Sequence, residues 1–583
     1  MSPKKTKHAT QQSLNGAIKE ICNIMRRSNC AGALQYVPEL TWILFLRILD
    51  EREAEEVLAA AAVGEEFLPS LDEPFRWRDW AAPPPPAAQI EEMDPRQGWK
   101  RVELVARSGA FFSFVNDQLL PYLKTLREKP NATVRQKVIS EIMSGVDRTR
   151  IDTERNLLDV LDKVHKISAE TTDPTHYFTL SQVYEGLLLK MGEKGNDGGQ
   201  FFTPREVVRA MVKVIDPQVD ETVYDPCCGT GGFLAQAFEH MESQLGTDAT
   251  ARHLETLKKH TFFGREKENV AYPIGLANLV LHGIDRPNIW HGNTLTGSEI
   301  YGGLFEEAPS QFDVILTNPP FGGEEGTEAQ ARFPFKTSAT TVLFVQHVMD
   351  SLRNGGRCGI VVDEGLMFRT NEKAFTQTKR KLLDDCDLYA VVSLPVNTFV
   401  NAGAGVKTNL LFFTKGRPTE KTWYYDLSDI KVTKKKPLML SSFDEFFKLL
   451  PTRADSERSW TVDLRARWKK AENDAQKFRK IATAKRADAD KLGDQLAVLK
   501  KARPRDAVAF ASTEKSYKAA LAEHREAAKR AQEIENSVYD LKAVNPNAKL
   551  DEDTRTPQEL LDLIEEKGKE VDAALAELRQ LLL

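Results

Sequence analysis

Residues 223–234 read Val223-Tyr224-Asp225-Pro226-Cys227-Cys228-Gly229-Thr230-Gly231-Gly232-Phe233-Leu234, which predicts a strand, a glycine-rich turn and the start of a helix. Glycines at such a turn let a ligand approach the backbone, and a helix start offers unpaired N–H groups and the positive end of the helix dipole. We therefore expect an anionic or carboxylate-bearing cofactor, although such a turn can also serve only to tighten a loop. A nicotinamide dinucleotide is disfavoured, because the third glycine of a G-x-G-x-x-G pattern would fall at Leu234.

Short apolar runs separated by helical segments surround this turn from about Tyr177 onwards. The runs lie at 222–224, 261–263, 312–316, 358–362, 389–392 and 409–413. Continuous apolar strands that alternate with helices indicate a sheet covered on both faces. The sequence therefore predicts a doubly wound α/β domain with a mostly parallel sheet.

Both ends of the chain are patterned as helices. Apolar residues recur at helical spacing from 14 to about 50, and the proline run at 83–86 predicts an exposed loop within this part. Beyond about 465 the chain is rich in Lys, Arg, Glu, Asp and Ala. Thr556-Pro557-Gln558-Glu559 predicts a capped helix start, and the apolar residues after it have near-heptad spacing: Leu560, Ile564, Val571, Leu575, Leu578 and Leu582. A helical hairpin packed on its own domain and a partner-binding coiled coil both fit this pattern.

The length of 583 residues predicts about three or four domains. We place an amino-terminal helical domain at 1–170, the α/β domain at 171–430, a connecting segment at 431–465 and a helical tail at 466–583. The formal net charge of -5 implies that nucleic acid, if bound, is held by a local surface of the chain or by a partner. The six cysteines show no paired spacing, and no stretch reaches the roughly 18 apolar residues that span a bilayer, so we expect a cytoplasmic, unanchored protein without a metal site.

A second cofactor signal follows in Phe262-Phe263-Gly264-Arg265-Glu266, a predicted strand that ends in an acid. A carboxylate at the tip of the second strand can accept hydrogen bonds from both hydroxyls of a ribose. Glu266 could equally be a surface acid at a strand end. Together with the glycine turn, it favours an adenosine-type cofactor.

The catalytic candidate is Asn318-Pro319-Pro320-Phe321, which directly follows a predicted buried strand. The two prolines lack N–H donors and hold the chain extended, so carbonyl oxygens face outward. The exocyclic amine of adenine is a poor nucleophile, because its lone pair is delocalised into the ring. If the Asn318 side-chain oxygen and the Pro319 carbonyl accept its two hydrogens, the lone pair turns towards an electrophilic methyl group, while Phe321 stacks on the base. No strong general base is needed once the groups are aligned.

This combination resembles the S-adenosylmethionine-dependent amino-methyltransferases, in which an Asn/Asp-Pro-Pro-Tyr/Phe motif follows a glycine-rich cofactor turn. It looks most like the modification subunit of type I restriction-modification systems, and the resemblance covers roughly residues 14 to 425. The segment Gln200-Phe201-Phe202-Thr203-Pro204-Arg205, which precedes the glycine turn, resembles the additional cofactor motif of these methyltransferases. Three further segments resemble the type I subunit: Ile43-Leu44-Phe45-Leu46-Arg47, the run Gly275-Leu276-Ala277-Asn278-Leu279-Val280-Leu281-His282-Gly283, and Ser393-Leu394-Pro395 followed by Gly405-Val406-Lys407-Thr408-Asn409.

The resemblance implies a Rossmann-like methyltransferase fold, S-adenosylmethionine as the methyl donor and adenine N6 in DNA as the acceptor. It places Asp225, Gly229 and Gly231 around the methionine part of the cofactor and Glu266 on its ribose. In this family an acid often stands where this chain has Asn293. The cofactor residues that it implies are Gln200, Phe201, Phe202, Thr203, Pro204, Asp225, Pro226, Gly229, Thr230, Gly231, Gly232, Phe233, Glu266, Asn293, Thr294, Leu295 and Asn318.

The sequence also predicts partners. An adenine inside a duplex must be flipped out to reach such a site, and we find no recognition module after Phe413 that could read and bend DNA. The chain lacks a G-x-x-x-x-G-K-[ST] loop and an obvious nuclease signature. We therefore expect a separate specificity subunit that grips duplex DNA and docks on residues 466–583. The resemblance implies a second copy of the chain as well, and whether a nuclease or translocase subunit joins stays open.

Three other functions compete with this hypothesis. The same proline turn could hold the planar amine of RNA or a glutamine side-chain amide. A catalytically silent scaffold would keep the fold for assembly, and Asn293 is the one sequence feature in its favour. A nicotinamide oxidoreductase is weakened by Leu234.

Overall fold

The computed structural model describes most of the chain, in the ranges 11–28, 30, 33–64, 66–86, 94–166, 203–246, 250–299, 308–399, 406–433, 436–502, 506–547 and 556–581. The predicted cofactor residues Gln200, Phe201 and Phe202 lie outside the described residues, as does Leu582. Every statement about the structure concerns these ranges.

The amino-terminal part is helical, as predicted. Its helices are α1 (Gln11–Arg27), α2 (Ala33–Val63), α3 (Trp77–Trp80), α4 (Trp99–Val105), α5 (Ala110–Phe114), α6 (Leu120–Thr125), α7 (Val134–Met143) and α8 (Glu154–His165). Helix α7 begins at a capping box, in which Thr133 and Gln136 satisfy each other's backbone N–H groups. Trp42, Trp77 and Trp80 are buried in the core of this part. The proline run at 83–86 lies in neither helix nor strand.

The α/β part alternates helices with strands. Its helices are α9 (Arg205–Ile215), α10 (Gly232–Gln244), α11 (Ala251–Lys259), α12 (Ala271–Leu281), α13 (Thr327–Ala331), α14 (Thr340–Ser351), α15 (Glu364–Phe368), α16 (Lys373–Asp385) and α17 (Asp444–Leu449). Its strands are β1 (Val223–Asp225), β2 (Phe262–Glu266), β3 (Asn288–Asn293), β4 (Ser298–Glu299), β5 (Phe312–Thr317), β6 (Leu352–Asp363), β7 (Cys386–Ser393), β8 (Thr408–Lys415), β9 (Lys421–Asp426) and β10 (Ser459–Asp463).

One twisted sheet joins these strands in the order β10-β9-β7-β8-β6-β5-β1-β2-β3-β4. The central strands β6, β5, β1, β2 and β3 pair in parallel, and each predicted apolar run falls in a strand. The doubly wound α/β prediction is therefore confirmed. The sheet is mixed, however, because β8 runs antiparallel between β6 and β7, and β10 and β4 pair antiparallel at the edges.

Alternate side chains of each central strand enter different cores on the two faces of the sheet. In β8, Leu410 and Phe412 join the core on one face, and Leu411 and Phe413 join the core on the other. Burial on both faces explains why these strands are continuous apolar runs in the sequence. Strand β10 lies in the predicted connecting segment 431–465, so part of that segment belongs to the sheet.

An ion-pair cluster fastens the amino-terminal helices to the α/β part. Arg135 in α7 pairs with Glu56 at 2.6 Å and with Asp285, just after α12, at 3.2 Å. Arg52 in α2 also pairs with Asp285, at 2.8 Å, and donates to the Val280 carbonyl. The Arg135 side chain is only 16% exposed, so its removal would leave carboxylates in a poorly hydrated place.

Two long helices, α18 (Leu464–Lys501) and α19 (Ala507–Asn536), form a hairpin after the sheet. Their contact is lined by buried alanines at four- and seven-residue spacing: Ala471, Ala475, Ala482 and Ala489 in α18, with Ala520, Ala527 and Ala531 in α19. The chain then returns to the α/β part, where Leu541 N–H donates to the Met367 carbonyl at 3.0 Å. No helix in the described ranges is long and apolar enough to cross a membrane.

The last described helix, α20 (Pro557–Leu581), begins at the predicted capping box. Glu559 N–H donates to Thr556 Oγ1, and Thr556 N–H donates to the Glu559 carboxylate. Several of its apolar side chains face solvent, since Leu561, Ile564 and Val571 are 56%, 66% and 58% exposed. The hairpin alternative therefore describes α18 and α19, and the partner-binding coiled coil stays a prediction for α20.

We expect Arg135→Ala to lower the apparent melting temperature by about 3–6 °C, because Glu56, Asp285 and the buried Glu53, which lies 3.6 Å from Arg135, lose one of the cations that neutralise them. Differential scanning fluorimetry of the full chain measures this change. Arg486→Ala is the matched control, since Arg486 is 56% exposed and pairs only along its own helix. Equal melting temperatures for the two variants would contradict the role of this cluster.

Candidate active site

A cavity of about 320 Å³ opens at the carboxyl ends of β1, β2, β3 and β5. Its size is in the range of sites for small molecules, which is about 300–1,000 Å³. The sheet brings together segments far apart in sequence, as is usual at this edge of a parallel sheet. The predicted site residues in its lining are Thr203, Asp225, Pro226, Gly229, Thr230, Gly232, Phe233, Glu266, Asn293, Thr294, Asn318, Pro320 and Phe321.

Among the described residues, four predicted site residues are not part of the cavity lining. Pro204 precedes α9, and its carbonyl accepts hydrogen bonds from the first turn of that helix. Gly231 faces Leu279, and Leu295 is buried in a small apolar cluster with Phe344 and its neighbours. These three residues shape the site through packing and backbone contacts. The fourth, Pro319, is a buried residue between Asn318 and Pro320, which both line the cavity.

The glycine turn is held tightly against α12. Gly229 and Gly231 have φ angles of +52° and +76°, a backbone conformation that favours glycine. A Cβ atom on Gly275 would lie 2.9 Å from the Gly229 carbonyl oxygen. Asn278, which is fully buried, donates from Nδ2 to the Thr230 carbonyl at 2.9 Å. Helix α12 therefore sets the shape of the turn, which explains the glycine and the asparagine in that segment.

Arg205 supports the same turn, and sequence reasoning gave it no role. Its Nη1 donates to the Gly232 carbonyl at 3.0 Å, at the first residue of α10. Burial lowers the pKa of Arg205 to about 10, while nearby Glu239 acts in the opposite direction. The sequence carried a signal for Arg205, because it ends the segment 200–205, whose other residues were assigned to the cofactor.

Two buried carboxyl groups lie at the strand ends on either side of the turn. Asp225 accepts from Thr317 Oγ1 at 2.7 Å and from Cys227 N–H at 3.1 Å. Glu266 accepts from Gly229 N–H and from Glu268 N–H, both at 2.8 Å. Burial raises the pKa of each group to about 7, against the influence of these hydrogen bonds. A bound cation, or hydroxyl groups that donate hydrogen bonds in the cavity, would offset the free-energy cost of ionising these buried carboxyl groups.

Asn293 also lies at a strand end, where the related family often has an acid. Its Oδ1 accepts from Leu295 N–H at 2.9 Å, so this oxygen closes a local turn. Nδ2 is the remaining polar group of the side chain that can be offered to a ligand in the cavity.

Asn318 presents a buried hydrogen-bond acceptor to the cavity. Its Nδ2 donates to Thr203 Oγ1 at 3.0 Å. Its Oδ1 is buried and has no hydrogen-bond partner among the described residues. Most buried polar atoms in proteins are hydrogen-bonded, so this oxygen has the capacity to accept from a bound ligand. An amine that donates N–H to this oxygen would satisfy it.

Two aromatic rings meet beside Asn318. Phe321 lines the cavity, and its ring contacts that of Phe399 edge to face, with centroids 5.5 Å apart. Phe399 was missed in the sequence, because it follows β7 in a loop without a motif of its own. Its only sequence signal is its position soon after a strand that ends at the same edge of the sheet.

These features fit the cofactor that the sequence implies. S-adenosylmethionine carries a sulfonium cation, an amino acid group and a ribose, and the cavity offers two buried carboxyl groups and a glycine turn in its lining. Gly264 lets β2 pack closely against the wall of the cavity, since a Cβ atom there would lie 3.0 Å from Cys228 Sγ.

Comparisons with known proteins bear on the family to which the chain belongs. The family model for N-6 DNA methylase matches residues 176–486, and that for the HsdM N-terminal domain matches residues 14–164. The chain is 33% identical over 471 residues to the type I restriction enzyme EcoEI methylase subunit of Escherichia coli, covering 78% of this chain and 87% of the relative. The EcoKI methylase subunit of Escherichia coli K12 is 29% identical over 404 residues, with 67% of each chain covered.

A solved structure agrees over almost the whole length. It concerns the complex assembly and conformational transition of the type I R-M system, and one of its chains is 33% identical with a TM-score of 0.62. The match covers 98% of this chain and 99% of that one.

We expect Gly275→Ala to weaken binding of S-adenosylmethionine at least about tenfold, because the added methyl group would displace the backbone of the glycine turn. Isothermal titration calorimetry of the full chain measures the dissociation constant. Gly246→Ala is the matched control, since a Cβ atom there would meet nothing within 4 Å. Equal affinities for the two variants would show that α12 does not set the shape of the turn.

Proposed function

The chain belongs to the N-6 DNA methylase family and to the methylase subunits of type I restriction-modification systems, and on this basis we propose that it methylates the N6 amine of an adenine flipped out of duplex DNA. Its cofactor is S-adenosylmethionine. The observation that carries the proposal is the buried, unpartnered Oδ1 of Asn318 at the cavity of the glycine turn. That oxygen suits an amine donor.

The chain's own groups prepare the amine for reaction. Asn318 Oδ1 and the Pro319 carbonyl accept its two hydrogens, which draws the nitrogen lone pair out of conjugation with the ring. Phe321 stacks on the flipped base and fixes the direction of the lone pair. The electrophile is the sulfonium methyl group that S-adenosylmethionine supplies when bound.

The cofactor roles follow from the positions of the side chains. We assign the turn at Gly229 and the Asp225 carboxylate to the amino acid part, and the Glu266 carboxylate to the ribose. Each Glu266 oxygen already accepts one backbone N–H and can accept a further hydroxyl with its second lone pair. Asn293 can donate from Nδ2 to the adenine of the cofactor.

Target recognition is assigned to a separate specificity subunit. After β8 the described residues add β9 and β10 to the sheet and are otherwise loops and helices, so they offer no second α/β or β-rich module for reading DNA. In this proposal residues 466–583 form the docking element for that subunit. The proposed domains are 1–170, 171–430, 431–465 and 466–583. A second copy of the chain completes a cytoplasmic complex that can also receive a nuclease or translocase subunit.

We expect Asn318→Ala to lower kcat for methyl transfer to duplex DNA at least about 100-fold, since the acceptor for the amine is lost. Transfer of labelled methyl groups by the chain with its specificity subunit measures this. Asn473→Ala, on the exposed surface of α18, is the control and should keep full activity. Full activity of Asn318→Ala would rule out the mechanism.

We expect the double variant Leu561→Ser with Ile564→Ser to bind the specificity subunit at least about tenfold more weakly at an unchanged melting temperature. Both side chains are more than half exposed, so their loss costs little in the free chain. Sedimentation velocity of the mixed subunits measures the affinity. Leu68→Ser with Val102→Ser replaces equally exposed side chains outside the tail and should leave binding unchanged. Wild-type affinity of the α20 variant would contradict docking through this helix.

A further inference from the structure

Thr203 contacts the catalytic asparagine across 115 residues of sequence. Its Oγ1 lies 3.0 Å from Asn318 Nδ2, which donates to it. Thr203 is the second residue before α9, whereas Asn318 directly follows β5. The contact therefore joins the cofactor segment that precedes α9 to the motif that holds the target amine.

The orientation of the Asn318 amide decides what the target base meets. The amide can be turned by about 180°, which exchanges its acceptor oxygen and its donor nitrogen. With Nδ2 on Thr203, the buried Oδ1 is free to accept from an amine. In the reverse orientation the N–H groups of Asn318 would face the N–H groups of the target. The target amine could then not be held.

We propose that Thr203 is a positioning residue for methyl transfer, whose hydroxyl oxygen accepts the Nδ2 hydrogen of Asn318 and so holds Oδ1 towards the target amine. This inference rests on the proposed function. Without the hydroxyl, Asn318 would lose the hydrogen bond that restrains its amide, so the amide would turn among several orientations. The base would still enter the cavity but would be held less often in the reactive geometry.

This role differs from direct cofactor binding, which the sequence implied for Thr203. Thr203 lines the same cavity, so both roles are sterically open to it. Loss of a cofactor contact raises the dissociation constant of S-adenosylmethionine. Loss of amide orientation lowers kcat at saturating cofactor and leaves that constant nearly unchanged. Measuring both kcat and the dissociation constant of the cofactor therefore distinguishes the two roles.

The kinetic test compares Thr203→Val with Thr203→Ser in the chain bound to its specificity subunit. Valine keeps the shape and removes the hydroxyl, whereas serine keeps the hydroxyl. We expect Thr203→Val to lower kcat about 10- to 100-fold with less than about a threefold change in cofactor dissociation constant, and Thr203→Ser to restore kcat to within about threefold of wild type. Thr483→Val, on the exposed surface of α18, should keep wild-type kcat.

Three results would overturn the proposal: an unchanged kcat for Thr203→Val, a loss confined to cofactor affinity, or a serine variant as slow as the valine variant. A readout independent of activity accompanies the kinetics. In full chain labelled with 15N-asparagine, the Asn318 side-chain amide signal is the one absent in Asn318→Ala. We expect Thr203→Val, but not Thr203→Ser, to shift this signal and speed its hydrogen exchange. If wild type transfers no methyl group to DNA, the proposed function fails, while the amide signal still decides whether Thr203 holds Asn318.

Discussion

A buried amide oxygen without a hydrogen-bond donor costs free energy, and the Oδ1 of Asn318 has no donor among the described residues. The surrounding fold keeps it in place. Asn318 follows β5, which is paired on both sides, with β1 and with β6, so its backbone cannot move to find another partner. Two prolines after it restrict the chain further. In the proposed function, the site is prepared for an amine before one arrives, and the cost is recovered when the amine donates.

The carboxyl groups at the neighbouring strand ends place a second constraint on the fold. Burial raises the pKa of Asp225 and of Glu266 to about 7, from usual values of 3.8 and 4.5. The free protein therefore binds these protons more tightly than the unfolded chain does. Between about pH 4 and pH 7 the unfolded chain has lost these protons while the folded protein still holds them. The free fold therefore becomes less stable as the pH rises through this range. Hydroxyl donors and a cation bound in the cavity would favour the charged forms and reduce this loss.

The sequence predicted the features that depend on local pattern. The central strands are continuous apolar runs in the sequence. The glycine turn and the Asn318 motif each combine residue types that few other local structures need. Strand β10 was missed because it is a five-residue edge strand, apolar at only two positions and paired on one side. The contacts of Gly275 with Gly229 and of Thr203 with Asn318 could not be predicted either, since they arise only when separate helices pack on the sheet. The same holds for Phe399, whose partner lies 78 positions earlier in sequence.

The central claim is that the Oδ1 of Asn318, which has no hydrogen-bond partner among the described residues, accepts from the exocyclic amine of an adenine in DNA and orients it for methyl transfer. Its most direct test offers the chain and its specificity subunit labelled S-adenosylmethionine together with duplex DNA, RNA and protein as competing acceptors. Mass spectrometry of the digested products identifies the methylated group. The account predicts label in N6-methyladenine from the DNA. Label found instead in RNA, in a glutamine amide or in cytosine would contradict it.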